Sequence, residues 1–327
     1  MRRRGLLACL GAAPAAWPFA VSPQTSGRPP LVAFLAGGTT ANASRLIGFA
    51  KEGLLQLGYA EGRNLATTAR FAEGYEERLP DLASELVGLK PTILVGNAID
   101  AAVQLRKVTA TIPIVCPLLA NAIQLKLIAS MARPGGNVTG ITPYVDGLPA
   151  KQMELARELV PGATKVGLLV NLNDPKALPA RQEMVDAGPK VGLSVVVSEV
   201  DRPEGIEAAL ETLARAQVDV VVVLQTSMLL SERQQIAVSV AAKRLPTLYG
   251  YREHVDGGGL ISYGINMPWC FRRAATFLDK ILKGAKPGDL PVEFPNRPEM
   301  VINLRTARAL GLTISPSILA RADEVIE

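Results

Sequence analysis

Short apolar runs rich in β-branched residues, each followed by a turn and a longer segment of helical spacing, recur along this chain in two successive series. The first begins with Leu31-Val32-Ala33-Phe34-Leu35-Ala36, turns at Gly37-Gly38-Thr39-Thr40, and continues into a helix with apolar residues at Leu46, Ile47, Phe49, Ala50, Leu54 and Leu57. Asn64 to Arg70, Thr92 to Val95, Pro113 to Cys116 and Val138 to Ile141 repeat the strand signal, with helices expected at about 76–89, 98–108, 122–132 and 147–159. A second series starts at Lys165 to Asn171 and runs through Leu193 to Val200, Val218 to Leu224, Pro246 to Tyr249 and Leu260 to Tyr263. Continuous β-branched runs joined by helices are the pattern of a parallel sheet covered on both faces. Two such sheets account for the 327 residues. Beyond them lie a helix from Met267 to Lys283, a linker at 286–291, a strand from Glu299 to Leu304 and two short closing helices, so the chain is expected to pass between lobes more than once.

Composition narrows the chemistry. With 48% hydrophobic and 20% charged residues the chain can fill two ordinary cores. Its net charge of +5 owes three units to Arg2, Arg3 and Arg4, in a leader that holds no acid, so it gives little support for a nucleic-acid partner. Those arginines and the small apolar residues from Gly5 to Ala16 read as a signal peptide of residues 1–24, compatible with either the Sec or the twin-arginine route. The expected location is the periplasm. His254 is the lone histidine, which excludes His-rich metal sites and makes any Ser-His or Cys-His mechanism depend on one residue. Flanked by Arg252, Glu253 and Asp256, it reads as a solvated or capping side chain. Cys116 and Cys270 are compatible with one disulfide or with two buried thiols.

In open parallel sheets a ligand sits beyond the carboxyl ends of the strands, where helix N-termini converge. The ligand-binding candidates there are Gly38, Thr39, Thr40, Asn97, Ala98 and Asn121 from the first series, and Asn173, Gln225, Thr226, Tyr249 and Tyr251 from the second. These are small neutral hydrogen-bonding groups with two aromatic faces, a composition for holding a solute more than for acid-base chemistry. Gly37-Gly38-Thr39-Thr40 matches neither the dinucleotide fingerprint nor the P-loop, and serves equally as a turn with Thr40 as helix cap. Asn171-Leu172-Asn173-Asp174-Pro175 likewise reads as an Asx turn before a helix. No catalytic residue, metal or cofactor is assigned.

Several segments in order carry a family resemblance: Phe49 to Asn64 (FAKEGLLQLGYAEGRN), Ala132 to Gly140 (ARPGGNVTG), Gly257 to Gly264 (GGGLISYG), Ile281 to Pro287 (ILKGAKP), Val301 to Ala307 (VINLRTA) and Arg321 to Glu327 (RADEVIE). Together they resemble the exported substrate-binding proteins of bacterial ABC transporters, in the group related to tryptophan-type binding proteins. The resemblance implies an α/β fold of two Rossmann-like lobes with parallel sheets, the periplasmic binding protein type I arrangement, with three hinge crossings. Lobe one would comprise residues 29–142 and 264–286, and lobe two residues 143–263 and 287–327. The implied partners are a small solute, an amino acid or aromatic one among the candidates, and an inner-membrane permease; the protein is expected to be a monomer and not an enzyme. Leu119 to Ile123 and Gln225-Thr226-Ser227 depart from the acid-bearing turns common in the family, which weakens the case for an α-amino ligand. The rival reading is an exported α/β enzyme acting on a nucleotide or sugar-type substrate, since fold alone does not decide function.

Overall fold

A computed structural model describes residues 28–143, 147–175, 177–295 and 297–327; the leader expected at 1–24 lies outside the described residues. The first series gives β1 (Leu31–Ala36), α1 (Thr40–Gln56), β2 (Ala66–Phe71), α2 (Leu79–Gly88), β3 (Ile93–Gly96), α3 (Ile99–Val108), β4 (Ile114–Cys116) and β5 (Val138–Gly140). These strands form one parallel sheet in the order β2-β1-β3-β4-β5. The second series gives α4 (Leu148–Leu159), β6 (Lys165–Asn171), α5 (Ala177–Ala187), β7 (Ser194–Val200), α6 (Ile206–Arg215), β8 (Val220–Val223), α7 (Ser227–Ser231), α8 (Arg233–Ala242), β9 (Thr247–Tyr249), α9 (Arg252–Asp256) and β10 (Ile261–Gly264). The chain ends with α10 (Met267–Leu282), β11 (Glu299–Asn303), α11 (Leu304–Ala309), α12 (Pro316–Leu319) and β12 (Glu324–Ile326). The second sheet runs β12-β11-β10-β9-β8-β6-β7, and only β11 against β10 is antiparallel.

Side-chain alternation along each strand builds a core on both faces of each sheet. On β1, Val32 and Phe34 face a layer made by α1 and α10, while Ala33 and Leu35 face α2 and α3. On the second sheet, Val220 and Val222 face α4 and α5, and Val221 and Val223 face α6 and α8. The late helix α10 packs on α1, where Gly53 permits close approach: a Cβ there would lie 2.7 Å from the Arg272 carbonyl oxygen. Asn266 starts α10 by accepting from the Trp269 backbone N–H at 2.9 Å. The chain thus crosses between sheets after β5, after β10 and again before β11. Two of these crossings lie side by side, with Thr142 donating to the Glu293 carbonyl at 2.9 Å and Glu293 to the Gly140 carbonyl at 3.1 Å.

Two sequence expectations are corrected, and one that the sequence left open is decided. The helix expected at 122–132 is a set of turns, because Asn121 and Lys126 take left-handed φ values of 50° and 56°, which break helical propagation. A short last strand, β12, joins β11 where only helices were expected. No disulfide joins Cys116 and Cys270. The first sheet stands between them: Cys116 points into the layer with α2 and α3, and Cys270 into the layer with α10.

Candidate functional site

The carboxyl ends of both sheets face each other, and the helices that follow β1, β3, β6 and β8 start there. The lobes meet across this gap. The Thr39 backbone N–H donates to Ser231 Oγ at 3.1 Å, Arg233 donates to Asn42 Oδ1, and the Tyr75 hydroxyl donates to Glu204 Oε1 at 2.7 Å. Asn171 Nδ2 donates to Glu76 Oε1 at 2.5 Å. Each of these bonds joins the first series to the second, so the cleft is closed. Bonds of this kind contribute about 1 kcal/mol each to the closed arrangement.

Two recesses remain inside the closed cleft, and Thr226 is a wall of both. The smaller one is bounded by Gly37, Gly38, Asn97 and Ala98 from lobe one and by Ser227, Ser231 and Tyr251 from lobe two, with Leu46, Leu118, Leu230 and Met267 completing a largely apolar lining. The larger one, also apolar over most of its lining, lies between Ala120 and Asn121 on one side and Leu148, Pro149, Ala177, Met184 and Leu224 on the other. Gln225 and Gln152 supply its polar edge. Both are braced: Gln225 Nε2 donates to the Gly250 carbonyl at 2.9 Å and Gln152 Nε2 to the Tyr263 carbonyl at 2.7 Å. Glu183 stands at the rim, and burial pushes its carboxyl above the usual range.

Asn97 is the most informative side chain in this geometry. It is only 5% exposed, it lines the smaller recess, and neither its amide nitrogen nor its amide oxygen has a hydrogen-bond partner. Leaving such a group unpaired costs about 1–3 kcal/mol, which marks a place for an external partner. Its backbone is fixed, since the Asn97 N–H donates to the Leu35 carbonyl at 2.9 Å.

Of the residues expected from sequence, Gly38, Asn97, Ala98, Thr226 and Tyr251 line the smaller recess, and Asn121, Gln225 and again Thr226 line the larger one. Four lie elsewhere. Thr39 is at the lobe contact through its backbone, and Thr40 is exposed, its hydroxyl and N–H both donating to Glu73. Asn173 belongs to the turn: its N–H donates to Asn171 Oδ1 at 3.1 Å and its Nδ2 to the Asp201 carbonyl at 2.6 Å, at an outer notch with Tyr75 and Arg202. Tyr249 is wholly buried in the core with α6 and α8, and burial raises its hydroxyl.

His254 is not the solvated side chain expected from its charged neighbours. It is 1% exposed, and its ring stacks 4.6 Å from Tyr249 and 6.4 Å from Tyr251. The helix is so short that one face carries Arg252 and Asp256 outward while the other turns His254 inward. Burial lowers its pKa to about 3, so it is neutral and acts as an aromatic spacer that seats Tyr251, a wall of the recess. Sequence reasoning placed Ser227 at the strand end without making it a candidate and missed Ser231, both walls of the smaller recess.

Comparison with known proteins gives this cleft its context. The family model of the ABC transporter substrate binding protein matches residues 41–326. A tyrosine-binding protein of Clostridioides difficile is 24% identical over 267 residues, covering 80% of this chain and 76% of that protein. Among solved structures, an ABC domain from Streptococcus pneumoniae in complex with L-Trp is 25% identical with a TM-score of 0.85, covering 91% of this chain and 100% of that one. A conserved domain protein from Vibrio cholerae is 26% identical with a TM-score of 0.86 at the same coverage. No helix among the described residues is long and apolar enough to cross a membrane. The doubled α/β lobes, the closed cleft and a family match over nearly the whole described chain lead to one conclusion: this chain belongs to the ABC transporter substrate-binding protein family and captures a small solute between its lobes for a permease.

Proposed function

We propose that the solute is an aromatic one, foremost an aromatic amino acid, with its polar head at Asn97 and its ring in the larger recess against Leu148, Pro149, Met184 and Leu224. The single observation that carries this reading is the unpaired amide of Asn97, buried at a largely apolar recess that shares Thr226 with the larger one. The relatives named for tyrosine and solved with L-Trp support the same class. In this reading the protein acts as a monomer in the periplasm, exported by the leader at 1–24, and hands its solute on unchanged. Asn97, Asn121, Gln225, Thr226 and Tyr251 are the proposed contacts.

The test is a thermal-shift screen with L-tryptophan, L-tyrosine, L-phenylalanine, sugars and nucleosides, followed by calorimetric titration of the best binder against Asn97→Ala. A solute at 100 times its Kd raises stability by about 2.7 kcal/mol. Loss of the amide should weaken binding about 5- to 150-fold, or about 1–3 kcal/mol. The melting temperature of the solute-free protein should not fall, because the amide has no protein partner to lose. Unchanged affinity in Asn97→Ala, or shifts with sugars alone, would overturn the reading.

A further inference from the structure

Two long helices start at the cleft, and each already holds a carboxylate of this chain at its N-terminus. At α1, Glu73 accepts from the Thr40 N–H at 3.1 Å. At α3, Asp100 lies in the first turn and its Oδ1 accepts from the Ala101 N–H at 2.7 Å. An anion entering the cleft therefore meets negative charge where a bare helix terminus would have welcomed it. Among the described residues, no lysine or arginine lines either recess. The guanidinium at the edge, Arg233, is engaged by Asn42 Oδ1 and the Leu230 carbonyl.

The second oxygen of Asp100 is the distinctive one. Asp100 is 1% exposed, and its Oδ2 has no hydrogen-bond partner. A Cβ built on Gly37 would lie 2.1 Å from that oxygen and 3.3 Å from Ser227 Cβ, so the carboxylate stands against Gly37 on the line to lobe two. Gly37 and Ser227, which flank the carboxylate, are both walls of the smaller recess, as is Asn97 with its own unpaired amide, and Asp100 itself stands just behind that wall. With Oδ1 held by the Ala101 N–H and Oδ2 bare, the buried carboxylate has a place for one more donor, favourably a cation, and among the described residues none supplies it.

We propose that Asp100 is the counter-charge for a protonated amine of the solute, with Asn97 Oδ1 accepting from the same ammonium. This inference rests on the cleft being the solute site, and it goes further: the cleft selects ammonium-bearing solutes and does not require their carboxylate. Gly37 is glycine because any side chain there would displace the carboxylate.

Calorimetric titration of the protein with matched probes tests this. The aromatic set is L-tryptophan, tryptamine and indole-3-propionate; the aliphatic set is L-leucine, isopentylamine and 4-methylpentanoate. The amino acid and the amine should bind within about 10-fold of each other. The deaminated acid should bind about 30-fold or more weakly, the effect of removing one partner of a buried charge pair. Asp100→Asn should weaken the amine by a similar factor, leave the deaminated acid unaffected, and not lower the melting temperature of the solute-free protein. Deaminated acids binding as well as amines would overturn the role of Asp100 while leaving an aromatic solute in place. Amine selectivity confined to the aliphatic set would uphold Asp100 and overturn the aromatic reading. The comparison on the unaltered protein decides the matter even if Asp100→Asn folds poorly.

Discussion

Glu253 and His254 are neighbours on α9, both buried without charge, and they should give the protein a stability maximum on the acid side of neutrality. Burial pushes the Glu253 carboxyl from 4.5 up to about 7; Asp256 adds to the rise, while Arg45 and Arg252 oppose it. Burial pulls His254 from 6.5 down to about 3, and Arg233 adds to the fall. For Glu253 the folded state holds its proton more tightly than the unfolded chain. Its ionisation cost therefore accrues as pH rises from about 4.5 and is complete above about 7, a loss of about 3 kcal/mol. For His254 the unfolded chain takes up the proton first. Stability is then lost as pH falls from about 6.5 to about 3, by about 5 kcal/mol. Between about 4.5 and 6.5 the two slopes are one proton each and of opposite sign, so they cancel. Urea unfolding from pH 3.5 to 8.5 should show a plateau in that window and a decline on either side. Glu253→Gln should turn the plateau into a rise of about 3 kcal/mol from pH 4.5 to 6.5, remove the small decline between about 6.5 and 7, and leave the limb below pH 4.5 unchanged. Stability rising steadily from pH 6 to pH 8, or a Glu253→Gln profile identical to the parent, would refute the reasoning.

Two further outcomes follow from the cleft. Asn173→Ala should lower stability by about 1 kcal/mol through loss of its bond to the Asp201 carbonyl, and leave solute affinity within about 2-fold; a drop of 5-fold or more by calorimetry would return Asn173 to the binding site. Gly37→Ala should displace the Asp100 carboxylate, since the new methyl would lie 2.1 Å from Oδ2. Its melting temperature should fall by several degrees, and its affinity for an amine probe should fall with it; an unaltered melting curve would show that the carboxylate moves aside freely.

The doubled α/β plan was legible because a buried parallel strand has no polar face to confuse the pattern. Runs such as Val220 to Val223 or Leu31 to Ala36 admit one reading when helical spacing follows them. The segment 122–132 defeated the same logic. Ala122, Leu125, Leu127 and Ile128 have helical spacing, yet their burial is met by turns through Asn121 and Lys126 in left-handed conformation, and nothing local announces that choice. Likewise, three charged neighbours made His254 read as solvated, although in a five-residue helix successive side chains point in nearly every direction.

The candidate site was legible only in part, because the position of a residue in its own lobe does not determine what the other lobe places against it. Strand ends pointed to Asn97 and Tyr251 correctly as cleft positions, but the partners across the gap, Ser231 to Thr39 and Arg233 to Asn42, are about 190 residues away in sequence. Those distant pairs explain how capture works. The closed structure carries the cross-lobe bonds, yet it leaves Asn97 and Asp100 Oδ2 buried without protein partners. Each such group costs about 1–3 kcal/mol or more in the closed state, which offsets much of what the bonds contribute. A solute that pairs both groups would cancel that penalty, and to the extent that it contacts both lobes it would favour the closed state over the open one.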